Sequence, residues 1–269
     1  MIELVLVRQI AVLVASIAGS YTDLRTGYIF DWVTLPLIAF GVIANIATGE
    51  ITGIGIGVAV FAIGYLLYYT GKIGGGDVKL YTGIALAMPF HNGTVFILPL
   101  VAFSAISAIV FLSTYYLIKY YRKGIDFKYN KEGIMKAALF FVFIIIYFGM
   151  LFGTGIISQY YLSVFMAPLL FGVAFFAFEK GIKKEFFLKE IKTSELEEDE
   201  VLALEFVSEK EKEIIGKFRG VIGEKEKETL MKGGIKKILV YRNLPRFGVF
   251  IFAGVIISIL FPNTLALVG

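Results

Sequence analysis

Eight apolar stretches alternate with polar segments along the chain: Leu4 to Ser20, Val33 to Ala47, Ile51 to Tyr69, Val78 to Phe90, Val95 to Ile118, Met135 to Phe152, Tyr160 to Phe178 and Phe247 to Leu267. Most approach the roughly 20 residues that a helix needs to cross the hydrocarbon of a bilayer, so each predicts a membrane helix. The fourth covers only about 13 residues. It predicts a short, tilted or re-entrant helix, or one that thins the bilayer around it. The glycine run Gly74-Gly75-Gly76 stands immediately before it, and irregular backbone at membrane depth is tolerated only where protein or a water-filled cavity satisfies its polar groups.

The polar segments differ in sign. Arg25, then Lys72 and Lys79, then Lys119, Arg122, Lys123, Lys128 and Lys131, then the charged stretch from Glu179 to Arg246, occupy alternate loops. The loops around Glu50, His91-Asn92-Gly93 and Gly153-Thr154-Gly155 contain no Lys or Arg. Under the positive-inside rule the basic set faces the cytoplasm and both termini lie outside. Eight crossings satisfy every loop. A run ending at Ser16-Ile17-Ala18 has the small residues of a signal-peptide cleavage site, but Glu3 and Arg8 argue against a secretory leader.

Composition agrees with an integral membrane protein: 58% of the 269 residues are hydrophobic, and the mean hydropathy is +0.79. The formal charge of +4 is explained by loop topology and calls for no nucleic acid. With no Cys and His91 as the only histidine, thiol nucleophiles, Cys-based zinc sites and chemistry that needs two imidazoles are excluded. Carboxylates are left as the obvious acid and base groups, and no cofactor or metal is expected.

Two carboxylates stand out. Asp77 ends Lys72-Ile73-Gly74-Gly75-Gly76-Asp77-Val78-Lys79, and Asp23 ends the first apolar stretch in Ser20-Tyr21-Thr22-Asp23-Leu24-Arg25. An Asp at the centre of a membrane helix costs about 2.5–3.5 kcal/mol on insertion scales, so intramembrane carboxylates usually face a wet cavity and serve function. Two crossings separate Asp23 from Asp77, which returns both to the same boundary. Held close, two carboxylates cannot both ionise cheaply and share one proton. One can then draw a proton from water while the other polarises a carbonyl and protonates the leaving amine. Glycines at 74, 75 and 76 can reach unusual φ/ψ and let a peptide backbone approach, even as an added strand. Read locally, Asp77 is also a candidate helix cap, Asp23 a loop charge beside Arg25, Asp31 a surface residue or second-segment cap, and Lys79 a topology marker that could also contact substrate.

Gly74-Gly75-Gly76-Asp77-Val78-Lys79 resembles the G-x-G-D motif of GxGD intramembrane aspartyl proteases, and Tyr21-Thr22-Asp23-Leu24-Arg25-Thr26-Gly27-Tyr28-Ile29 resembles the context of the first aspartate in prepilin and preflagellin peptidases. The similarity covers residues 1 to about 120, with a further likeness at Lys236 to Pro245. It implies Asp23 and Asp77 as catalytic, with Gly74, Gly75, Gly76 and Lys79 lining the motif loop. It implies as substrate the basic leader of a prepilin-like or archaellin precursor, cut at the cytoplasmic membrane boundary. Bacterial relatives that also methylate carry paired cysteines in an extra N-terminal region, which this chain does not have, so methyl transfer is not expected.

The expected fold is an all-α polytopic membrane protein with six core helices, an added pair and a small cytoplasmic α+β soluble domain or partly ordered cap. Residues 1–120 form the catalytic core, 121–178 a cytoplasmic loop and the added pair at Met135 to Phe152 and Tyr160 to Phe178, 179–246 the soluble region, and 247–269 the last helix. The soluble region carries β-compatible runs at Leu202 to Val207 and Ile235 to Tyr241, a break at Gly233-Gly234 and an acidic run at Glu195 to Glu200. Two other readings remain. One is a signal-peptide-peptidase or presenilin-like protease that cuts within helices; the other is a proton or cation transporter that uses the Asp pair.

Overall fold

The computed structural model describes residues 2–155, 159–196, 200–207 and 222–262. Each of the eight apolar stretches is helical: α1 (Ile2–Thr26), α2 (Asp31–Thr48), α3 (Ile51–Tyr69), α4 (Gly75–Ala87), α5 (Ile97–Lys123), α6 (Lys131–Gly153), α7 (Gln159–Phe186) and, after a charged helix α8 (Glu224–Lys232), α9 (Gly248–Leu260). Six of them, α1 to α3 and α5 to α7, are long and apolar enough to cross a membrane. The chain is a multi-pass membrane protein. α4 and α9 have 13 residues each, about 20 Å of helix at 1.5 Å per residue, and fall short of the roughly 30 Å hydrocarbon core. The expected last stretch continues to Leu267, whose final residues lie outside those described. The helices also extend past the apolar runs. α1 continues through Asp23 to Thr26, so Asp23 sits inside the helix rather than in the loop after it.

The chain divides into two units, one of residues 1–105, 191–240 and 246–269 and the other of residues 106–190 and 241–245, so that α5 passes from the first into the second. In the first unit α4 is the buried centre. Val78, Leu80, Tyr81, Thr82, Gly83, Ile84, Ala85, Leu86 and Ala87 are all buried, which is what a helix that is apolar on every side requires. Glycines let its neighbours come close. A Cβ at Gly41 of α2 would lie 2.6 Å from the Ala87 nitrogen, one at Gly64 of α3 would lie 2.7 Å from Val78 Cγ1, and one at Gly57 of α3 would strike the Leu86 side chain. Large apolar side chains elsewhere on α3, such as Ile51, Val58 and Leu66, stay exposed as lipid-facing residues do.

A polar network holds the far end of α4. Asn45 of α2 donates from Nδ2 to the Leu86 carbonyl at 2.9 Å, and its Oδ1 accepts from Arg8 Nη2 of α1 at 3.3 Å. Arg8 in turn pairs with Glu50 at 2.9 Å. A carbonyl near a helix C-terminus has no intrahelical partner, and Asn45 supplies one where water is excluded. Beyond α4 a hairpin of β1 (Phe90–His91) and β2 (Thr94–Val95) turns through Asn92 and Gly93, both at positive φ. His91 is buried there, edge-on to Phe96.

In the second unit α6 packs along α7, with Phe140 edge-on to Phe176. Asn130 fastens the ends of three helices: it donates to the Tyr120 hydroxyl of α5 at 2.9 Å and accepts from the Gly181 N–H of α7 at 3.0 Å. The charged region, of which residues 191–240 belong to the first unit, folds as β3 (Leu188–Lys192), β4 (Val201–Leu202), α8 and β5 (Lys237–Tyr241), with strand order β3-β5-β4. Ile191, Leu196, Leu202, Ile222, Leu230, Ile235, Ile238 and Val240 form its core. The run expected as a strand over Leu202 to Val207 gives only the end of β4 and a 3-10 turn at Leu204–Phe206. Half of the acidic run Glu195 to Glu200, residues 197–199, lies outside the described residues.

Asn45→Ala is expected to lower stability by about 1–3 kcal/mol, the cost of leaving a buried acceptor unpaired. A thermal-unfolding midpoint in detergent equal to that of the parent would contradict the role given to this network.

Candidate active site

The turns of α1 and α4 that lead to Asp23 and Asp77 pack on one residue because two glycines remove the side chains that would keep these helices apart. α1 leaves Gly19 against Leu80 of α4 and Ile29 of the α1–α2 connection, where an added Cβ would lie 3.2 Å and 3.4 Å from their side chains. Gly76, the residue before Asp77, lies on the same Ile29, with an added Cβ 2.9 Å from its Cβ and 3.0 Å from its carbonyl oxygen. Ile29 is thus the spacer shared by the last turns of α1 and the first turn of α4. Across it, the charge on Asp23 acts on Asp77.

Asp23 is buried, 6% exposed. Its Oδ2 accepts from the Gly248 N–H of α9 at 2.8 Å, and the Phe247 N–H also donates to the carboxylate. The first N–H groups of a helix have no partner within it and carry the positive end of its dipole, so the start of α9 is a natural seat for this carboxylate. The approach is close enough that a Cβ at Gly248 would lie 3.1 Å from both Asp23 Cβ and Oδ2. Arg246, two residues earlier, also acts on Asp23 electrostatically.

Asp77 occupies the third position of α4, and its carboxylate reaches back to accept from the backbone N–H of Gly74 at the N-cap. This is the acidic half of a capping box. Capping therefore accompanies the proximity to Asp23 rather than competing with it. One turn on, Tyr81 is 7% exposed, hydrogen-bonds the Ser104 hydroxyl of α5 and feels the Asp77 charge.

The glycine run does not adopt the unusual backbone expected of it. Gly74 is extended at φ −72° and ψ 145°, and none of the three is among the positive-φ glycines, because Gly75 and Gly76 begin α4. Their use is close approach by the protein's own groups. Gly76 meets Ile29, whereas a Cβ at Gly75 would lie 3.4 Å from the Tyr68 ring of α3, an ordinary contact. Lys79 points to Asp31 at the start of α2, with Nζ 2.5 Å from Oδ1 and both side chains exposed. Arg25 lies over the Tyr21 ring, 5.3 Å from its centre. Among the described residues no three His, Cys, Asp or Glu converge as a metal site would need.

Sequence reasoning did not pick out Tyr81, Ser104, Arg246 or Gly248. Tyr81 was within reach, since four residues after Asp77 is the same helix face. Gly248 lies 225 residues from its partner Asp23, and no local pattern signals that pairing.

Residues 10–118 match the type IV leader peptidase family, a span that holds Asp23, Asp77, Ile29 and the glycine run. The prepilin peptidase EppA of Methanothermobacter thermautotrophicus is 30% identical over 108 residues, which cover 34% of this chain and 27% of that protein. The match therefore spans about a quarter of the relative's length. No solved structure matches the chain. Asp23 near the end of α1 and Asp77 at the start of α4 both lie inside residues 10–118, the span over which this chain is similar to the type IV leader peptidase family.

Proposed function

We propose that this protein is a membrane aspartyl endopeptidase of the GxGD type that removes the basic leader from type IV prepilin-like or archaellin precursors. Its catalytic pair is Asp23 and Asp77, set at the cytoplasmic boundary. The observation that carries this reading is the packing of the turns that lead to the two carboxylates on one residue, Ile29, through Gly19 and Gly76, within the family-matched span.

In the proposed reaction one carboxylate takes a proton from water as the oxygen attacks the scissile carbonyl carbon. The other gives its proton to the carbonyl oxygen. Collapse of the tetrahedral intermediate breaks the C–N bond and sends a proton to the departing amine, so that water's OH ends on the new carboxyl group and a hydrogen on the new N-terminus. The pair is returned to its single shared proton. Backbone donors on both carboxylates, Gly248 and Phe247 for Asp23 and Gly74 for Asp77, restrict their rotation without a further side chain. Preorganisation of this kind is worth most in a water-poor site.

Placement also supports a cut at the junction of leader and apolar helix. Asp23 is in the last turns of α1 and Asp77 in the first turn of α4, and two long apolar helices, α2 and α3, lie between them in the chain. Under the positive-inside rule that end is cytoplasmic. Carboxylates at helix ends fit a boundary cut better than an ion site at the midplane or cleavage deep within a helix. Lys79, tied to Asp31, serves in this account to hold the start of α4 to α2 rather than to contact substrate.

Asp23→Asn and Asp77→Asn are each expected to lower cleavage of a prepilin-like precursor in membranes by about 10²–10⁴-fold, the usual contribution of a general acid or base. Full cutting by either variant, at normal membrane levels, would remove that residue from the mechanism. Gly76→Ala is expected to reduce cleavage sharply, because its Cβ would strike Ile29 at 2.9 Å, whereas Gly75→Ala, with only the 3.4 Å contact to Tyr68, retains most of it. Equal activity in these two variants would show that the Ile29 contact does not set the pair.

A further inference from the structure

The end of α1 and the start of α9 meet in a second, reciprocal way. α1 stops at Gly27, which stands at φ +84° and whose N–H donates to the Asp23 carbonyl at 2.8 Å. The carbonyls of this last turn form the negative end of the helix dipole. The guanidinium of Arg246 lies against Gly27: a Cβ there would strike Nη1 and lie 2.6 Å from Cζ. Position 27 thus excludes other residues twice, by backbone conformation and by lack of room. Arg246 directly precedes Phe247 and Gly248, whose N–H groups hold the Asp23 carboxylate. Each helix end therefore receives the charge that suits it, Asp23 at the positive end of α9 and Arg246 at the negative end of α1.

We propose that Arg246 is a positioning residue for Asp23: by anchoring the turn Arg246 to Gly248 on the C-terminal end of α1, it fixes the two backbone donors that hold the carboxylate facing Asp77. This rests on the proposed dyad. A guanidinium suits the task better than an ammonium, because a planar group that spreads its charge over several N–H groups can lie flat against the bare backbone of a glycine. Arg246 is solvent-exposed at its outer side; an exposed cation kept only to mark topology would need neither the room at Gly27 nor its left-handed turn.

The test uses the full chain in membranes, with Arg246→Gln, Arg246→Lys and Gly27→Ala measured beside the parent and Asp23→Asn. Two readouts are taken: kcat and KM on a prepilin-like precursor, and hydrogen exchange of peptides covering residues 20–28 and 246–250. Arg246→Gln and Gly27→Ala are expected to lose kcat by up to about 10²-fold, the scale of a small misplacement of a catalytic group, with KM unchanged. Exchange at Phe247 and Gly248 is expected to quicken, and Arg246→Lys to keep part of the activity. Parent-like kcat in Arg246→Gln, with Asp23→Asn inactive, would overturn the positioning role and leave the dyad standing. Lost activity with unchanged exchange would overturn it too, since Arg246 would then act by some other route. If Asp23→Asn still cuts, the proposed dyad falls, and the exchange data alone decide whether Arg246 holds the α9 turn.

Discussion

The structure of the first unit depends on one constraint: a helix too short to cross the membrane is enclosed on every side. α4 has 13 residues, and its backbone groups at both ends must find partners within the protein. Its C-terminal end takes Asn45, itself held by Arg8. Its N-terminal end is capped by its own Asp77 through the Gly74 N–H. Close packing completes the enclosure, because Gly41, Gly57 and Gly64 bring the backbones of α2 and α3 onto Val78, Leu86 and Ala87. With little hydrophobic force between helices in lipid, such small-residue contacts are what association rests on.

That enclosure also bears on where the proposed catalytic pair sits. The first turn of α4, Gly75 to Asp77, is partly buried, and Gly76 sets that turn on Ile29. From the other side Gly19 brings α1 to the same residue. Asp77 stands where a short helix begins and Asp23 where a long one ends, and a second short helix, α9, supplies a backbone donor for Asp23. Both of the 13-residue helices thus direct their N-termini to the pair, where the unsatisfied N–H groups and the dipole favour negative charge.

Much of this was legible in the sequence, for identifiable reasons. Apolar length located all eight helices, and α3 coincides with the run Ile51 to Tyr69. The same reading gave the two long helices, α2 and α3, between Asp23 and Asp77, and the glycines beside Asp77 marked the start of α4. What stayed hidden depends on tertiary contact. Asp23 looked like the end of a segment because Thr22, Asp23 and Arg25 are polar, yet the hydroxyls of Thr22 and Thr26 bond back to carbonyls within α1 and the helix continues to Thr26. Gly74 to Gly76 looked like a loop made for unusual dihedrals, but two of them start a helix. Lys79 gave no sign of Asp31, 48 residues away. Ile235 to Tyr241 became β5 from Lys237 because Gly234 turns the chain at φ +73° just before it.

The most direct test of the account is the proximity of the two aspartates in the membrane, independent of any activity. The chain has no cysteine, so Asp23→Cys with Asp77→Cys can be oxidised, or joined with a short thiol-reactive linker, without interference. Phe90→Cys with Val95→Cys, directly opposed across the β1–β2 hairpin where Cβ atoms stand about 4.5–5.5 Å apart, provides the positive control. Cross-linking of 23 to 77 beside that of 90 to 95 is the predicted result. Efficient linkage of the control pair with none between 23 and 77 would contradict the central claim that α4 and α1 bring these carboxylates together.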